Sequence, residues 1–174
     1  MLLERQDFNA ADKVITANHR TEWRELREVL TALPLHLKAS DQAGLQGKPI
    51  FDVVGTNEFI RGEAVKRGWL ATIPIPSEYA IFGTDVDLGK NGMLVEVQFS
   101  NCPFLLNNML RAQFFVKAKI PLTGKTTDVM VIVTKAKMFP ASNSTLYYEQ
   151  GVSQLKALGE HGMFDVPIRL VGLF

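Results

Sequence analysis

At 174 residues, 47% of them hydrophobic and 21% charged, the chain has the make-up of an ordinary globular domain long enough to bury its own core, and we expect one domain over residues 1–174. No apolar run approaches the ~20 residues of a membrane helix, and the lone Cys102 excludes an internal disulfide and a cysteine-built zinc site. Proteins that neutralise phosphates usually carry a basic excess, so the net charge of +1 does not by itself point to nucleic acid, and any such excess must be local, at side chains such as Arg24, Arg27, Lys38 and Lys48.

The N-terminus carries Glu4, Arg5 and Asp7 where a secretion signal keeps its apolar stretch, so a cytoplasmic protein is expected. From Arg20 to Leu33, Trp23, Leu26, Val29, Leu30 and Leu33 recur at helical spacing, with Thr21 placed to cap and Pro34 to stop the helix. Leu35 to Pro49 is polar, glycine-bearing and aperiodic, which predicts a loop. A second helix is predicted over Asn57–Arg67, with Phe59, Ile60, Ala64 and Val65 inward, Gly62 weakening it and Glu58 near its start. Trp69 reads as core, and Ile73-Pro74-Ile75-Pro76 forbids helix and leads into a strand ending at Asp87.

The central stretch is Asp87-Leu-Gly-Lys-Asn-Gly-Met-Leu-Val-Glu-Val-Gln98. It reads as a strand end, a turn at Gly89–Gly92, and a strand Met93–Phe99 on which Leu94, Glu96 and Gln98 share one face and Val95, Val97 and Phe99 the other. A hairpin return brings Asp87 towards Glu96 and Gln98, an oxygen-rich set suited to Mg²⁺ or another hard divalent cation. On spacing alone, solvated acids flanking a turn explain the same residues more simply, and Asp85 competes with Asp87 as ligand.

Pro103 opens a helix to about Lys117 with Asn101 as its cap. Leu105, Leu106, Met109, Leu110 and Ala112–Val116 make it apolar around much of its girth, so it is either deeply buried or packs on a second subunit. Val129–Val133 predicts a strand covered on both faces. A loop over Phe139–Thr145, a helix from Leu146 to about Leu158 and a strand Ile168–Phe174 complete an α/β fold, a mixed β-sheet flanked by α-helices. His19, His36 and His161 lie too far apart to suggest a shared ligand.

Gly83-Thr-Asp-Val-Asp87 and Leu94-Val-Glu-Val-Gln-Phe-Ser-Asn101 resemble the BglII/BstYI-like type II restriction endonucleases, a branch of the PD-(D/E)xK superfamily in which Gln replaces the usual Lys. Pro34–Ala43, Phe139–Gln150 and Phe164–Leu173 are similar too, so the likeness spans nearly the whole chain. The resemblance implies a restriction-endonuclease-like core and a homodimer hydrolysing palindromic double-stranded DNA that contains GATC, as AGATCT or RGATCY. It implies Asp87, Glu96 and Gln98 as catalytic residues, with Asp87, Glu96 and the Val97 carbonyl holding Mg²⁺. Ser100, Asn101, Asn143 and Ser144 carry over onto base-contacting loops, where Asn can pair with adenine in the major groove. In a nuclease, Lys38, Ser40 and Gln42 of the polar loop would touch backbone phosphates or bases. Family relatives extend past the last strand, so contacts to outer base pairs are expected to be missing. Two alternatives stand: a DNA-binding module of the same fold that does not cleave, and a structural α/β protein that only assembles.

Overall fold

The structure, a computed structural model, describes residues 1–141 and 146–174, apart from the side chains of residues 80 and 82. Asn143 and Ser144 lie outside the described residues.

Among the described residues, eight strands and five α-helices follow in the order β1 (Leu3–Phe8), α1 (Ala11–Asn18), α2 (Arg20–Ala32), β2 (Leu37–Ala39), β3 (Pro49–Phe51), α3 (Val53–Val65), β4 (Leu70–Pro74), β5 (Asp85–Lys90), β6 (Met93–Val97), α4 (Pro103–Lys117), β7 (Val129–Lys135), α5 (Tyr148–Glu160) and β8 (Ile168–Leu173). One six-stranded sheet has the order β1-β8-β7-β6-β5-β4. Its middle strands β6, β7 and β8 are parallel, and the outer pairings are antiparallel, giving the mixed sheet expected.

The sheet separates two cores. Ala11, Ile15, Leu26, Leu30, Ile60 and Ala64 bring α1, α2 and α3 onto one face, against Leu88, Val95 and Val131. Leu105, Met109, Phe115 and Leu155 bring α4 and α5 onto the other, against Leu94, Met130 and Ile132. All seven residues of β7 are buried, as its β-branched run requires.

Local differences from the sequence reading have physical causes. β1 was not expected: its alternating charges look like surface, but it is an edge strand whose partner β8 lies at the far end of the chain, Leu3 opposite Leu173. The segment Leu35–Pro49 is not all loop, because Leu37–Ala39 pairs with Pro49–Phe51 as a two-stranded flap too short to show periodicity. α3 begins at Val53, so Glu58 is exposed in mid-helix rather than in the first turn, and Val65 points outward at its end. Thr21 lies inside α2, whose N-cap is His19. Asn101 does not cap α4 with its side chain; Cys102 is the N-cap, and the Asn101 main-chain carbonyl accepts from Phe104.

The turn end of the β5–β6 hairpin is pinned by polar pairs. Asn91 donates to Glu22 Oε1 at 2.7 Å, and the buried His19 meets Asp128 at 2.5 Å.

Candidate active site

The β5–β6 hairpin sets the site. Asn91 at φ 52° and Gly92 at φ 99° form the tight turn, both in the left-handed region that a two-residue hairpin loop needs. A Cβ on Gly92 would stand 2.6 Å from the Thr126 carbonyl oxygen, so glycine is also required for space. The turn is shorter than expected because Gly89 and Lys90 stay in the ladder, opposite Leu94 and Met93. Pairing runs Lys90↔Met93, Gly89↔Leu94, Leu88↔Val95 and then ends. Asp87 and Glu96 are the first residues beyond it. Asp87 is thus mid-strand in β5, flanked by pairs to β4 on both sides, and not at a strand end.

Where the two strands part, Asp87 Oδ2 accepts a hydrogen bond from the Val97 main-chain N–H at 2.7 Å. That bond fixes the carboxylate against the last residue of β6. Glu96 is buried at 6% exposure beside it. Burial pushes the Glu96 carboxyl up to about 8; the Arg111 guanidinium opposes this, while the charges of Asp87 and Asp85 add to it. Burial likewise raises Asp87, against the pull of the Val97 N–H and the Arg61 charge. Two desolvated acids side by side, with the Asp87 charge making Glu96 harder to ionise, are arranged for a cation.

Gln98 lies past the end of β6, half-buried, and its amide donates to Ser100 Oγ at 2.7 Å rather than to either acid. Ser100 and Asn101 are exposed next to it. Asp85 is half-buried and its carboxylate takes the Thr84 hydroxyl at 2.8 Å. On the flap, Lys38 is exposed, but Ser40 is buried at 4% and its hydroxyl accepts from the Gln42 N–H at 3.2 Å. Ser40 therefore shapes the flap instead of facing outward from it.

Three residues that sequence reasoning passed over complete the site. Arg111 of α4 is buried, its Nη1 3.0 Å from Glu96 Oε1, and its Nη2 donates to the Asp85 main-chain carbonyl. Asn57 and Arg61 of α3 line a narrow cleft with Asp87, Leu88 and Val97, and Asn57 Oδ1 is buried without a hydrogen-bond partner among the described residues. A signal for Arg111 existed: it falls on the inward stripe Leu105, Asn108, Ala112, Phe115, where an arginine needs a buried acid.

The carboxylates of Asp87 and Glu96 are hard-oxygen donors, the chemistry that suits a divalent cation of the Mg²⁺ kind. The set is small; among the described residues no three His, Cys, Asp or Glu side chains gather into a metal-binding group.

A six-stranded mixed sheet flanked by helices on both faces is the core of the restriction-endonuclease-like fold class. Residues 3–173 match the family described as Restriction endonuclease BglII/BglIII. The type II restriction enzyme BglII of Bacillus subtilis is 50% identical over 173 residues, 99% of this chain and 76% of that protein. The crystal structure of BglII complexed with a DNA 16-mer superposes with a TM-score of 0.96 at 50% identity, over 100% of this chain and 78% of that one. Free BglII superposes at 0.78 and 48% identity, over 100% and 80% of the two chains. The chain belongs to the BglII/BglIII family of restriction endonucleases, enzymes of site-specific DNA cleavage.

Proposed function

We propose that this protein is a divalent-cation-dependent type II restriction endonuclease that cleaves palindromic duplex DNA containing GATC, with AGATCT and RGATCY as the candidate strings. The observation that carries the reading is the desolvated Asp87–Glu96 pair at the parting of β5 and β6. Asp87, Glu96 and the Val97 carbonyl hold Mg²⁺ or a similar ion. When bound, that ion supplies an acidified water and neutralises charge on the phosphate.

The chain's own groups do the rest. The Val97 N–H occupies Oδ2 of Asp87, so Oδ1 is the oxygen that would be left to hold a cation. Arg111 favours the ionised form of Glu96, which burial opposes. Gln98 orients the attacking water by hydrogen bonding but brings no positive charge to the developing phosphorane, so it does not replace the usual lysine electrostatically. Ser100 and Asn101, with Asn143 and Ser144, read base edges in the major groove, and Lys38 contacts the backbone.

A twofold-symmetric target suits a homodimer acting in the cytoplasm, each subunit a single endonuclease domain cutting one strand. The outer face of α4 supports this, because Leu106 and Leu110 stay 40% and 51% exposed while the inner face is buried. A second copy is the occupant of that face.

The test is Asp87→Ala with Mg²⁺ and a GATC-containing duplex. Cleavage disappears while the mobility-shifted complex persists. Turnover comparable to the parent protein removes Asp87 from the mechanism, and absence of discrete plasmid fragments from the parent protein itself selects the non-cleaving module instead.

A further inference from the structure

At the end of β7, Lys135 has no exposed surface. Its ammonium donates to the main-chain carbonyl of Phe99 at 3.0 Å and stands 4.9 Å from the centre of the Tyr147 ring and 5.8 Å from that of Phe51. Among the described residues no carboxylate pairs with it. Burial pulls its pKa down to about 8, so the cation is held at a desolvation cost that a methionine of the same length would avoid. Packing alone does not call for a lysine there.

What the ammonium joins gives the reason. Phe99 is the residue between Gln98 and the exposed Ser100–Asn101 pair. Tyr147 is the second described residue after the segment that holds Asn143 and Ser144, and it bridges to Lys135 itself. Phe51 is the last residue of the flap that carries Lys38, and its ring meets Phe99 at 5.2 Å and Phe139 at 5.3 Å. Main-chain bonds run between the same segments: Leu146 N–H to the Ser100 carbonyl at 2.6 Å, and Phe51 N–H to the Pro140 carbonyl at 2.7 Å. The strand exit at Phe99, the Leu146–Tyr147 stretch and the flap thus converge on one buried cation that belongs to none of them.

We propose that Lys135 is a specificity-positioning residue, a buried ammonium that holds the Phe99 carbonyl and two aromatic rings so that the strand exit bearing Asn101 stands in fixed register with Leu146–Tyr147 and with the flap. A carbonyl–ammonium bond is directional and strengthened by charge, whereas aliphatic packing would let the strand exit slide. The lysine acts through Asn101 and its neighbours and touches no reacting atom. The inference rests on the proposed reading that the Ser100–Asn101 segment contacts bases.

The experiment compares Lys135→Met, Lys135→Arg and Asn101→Ala in the dimeric enzyme with Mg²⁺. The readout is kcat/KM on a cognate duplex divided by kcat/KM on duplexes altered at one base pair. Lys135→Met lowers this ratio about tenfold, the loss of one charge-assisted hydrogen bond. It leaves cooperative thermal unfolding intact. Lys135→Arg, which keeps a charged donor, recovers most of the ratio. An unchanged ratio in Lys135→Met, or an equal fall on cognate and altered duplexes, overturns the proposal. Should Lys135→Met fail to fold, Tyr147→Leu removes one wall of the cation's pocket and carries the same expectation and the same contrary outcome. Asn101→Ala separates the two readings: if it lowers the ratio while Lys135→Met does not, the loop reads bases but Lys135 does not position it; if neither does, the base-reading assignment itself falls.

Discussion

At the turn end of the β5–β6 hairpin, Glu22 is buried, yet its net pKa is lowered: burial pushes it up, but the Asn91 amide, its own main-chain N–H and the charges of His19 and Lys90 outweigh that. At the open end, ten or so ångströms of strand away by ordinary strand rise, Glu96 meets one arginine and two acids, and burial wins. The same hairpin therefore buries a carboxylate at each end, one answered by its neighbours and one left wanting a cation. Satisfied polar clusters hold a fold in register, whereas unsatisfied ones are where a ligand is taken.

The contrast breaks most sharply at Glu96→Gln, which keeps the shape and removes the charge. Cleavage falls on the order of 10³-fold, measured as single-turnover rate on cognate duplex. The same variant tests the electrostatics without turnover. In chelator, Glu96 has a folded pKa above its unfolded one, so the folded state holds more protons in between. Unfolding free energy then declines as pH rises from about 5 to 8. Thermal unfolding across that window shows the decline in the parent protein and a flatter profile in Glu96→Gln.

Arg111→Met strips Glu96 of its counter-charge. It costs about 1 kcal/mol at pH 8 by denaturant titration, because Glu96 escapes the loss by taking up a proton, and less at pH 6, where it already holds one. At the other end, Gly92→Ala forces a side chain into left-handed backbone and against the Thr126 carbonyl. It costs about 2 kcal/mol, with kcat/KM of the folded fraction unchanged. A loss of activity in the folded fraction matching the loss in Glu96→Gln would erase the distinction between the two ends.

Much of this architecture is written locally. The α2 stripe, the buried β7 run and the Asn91-Gly92 hairpin follow from periodicity and turn chemistry over a few residues. β1 and the flap are not legible in that way, because Leu3–Phe8 becomes a strand only by pairing with residues 168–173, and Leu37–Ala39 only by pairing with Pro49–Phe51. The candidate acids were legible through resemblance and hairpin geometry. Arg111, Asn57 and Arg61 were not, since a single polar residue in an amphipathic helix looks like surface until the sheet beneath it is known.

The ladder from Lys90↔Met93 to Leu88↔Val95 also acts as a ruler. Side chains alternate along a strand, so inserting one residue between the turn and Glu96 would carry its carboxylate through the sheet to the opposite core, away from Arg111. Only paired lengthening, one residue on each arm, preserves the parity that keeps both acids on speaking terms. Evolution of this hairpin is therefore quantised: it can grow in matched steps or not at all.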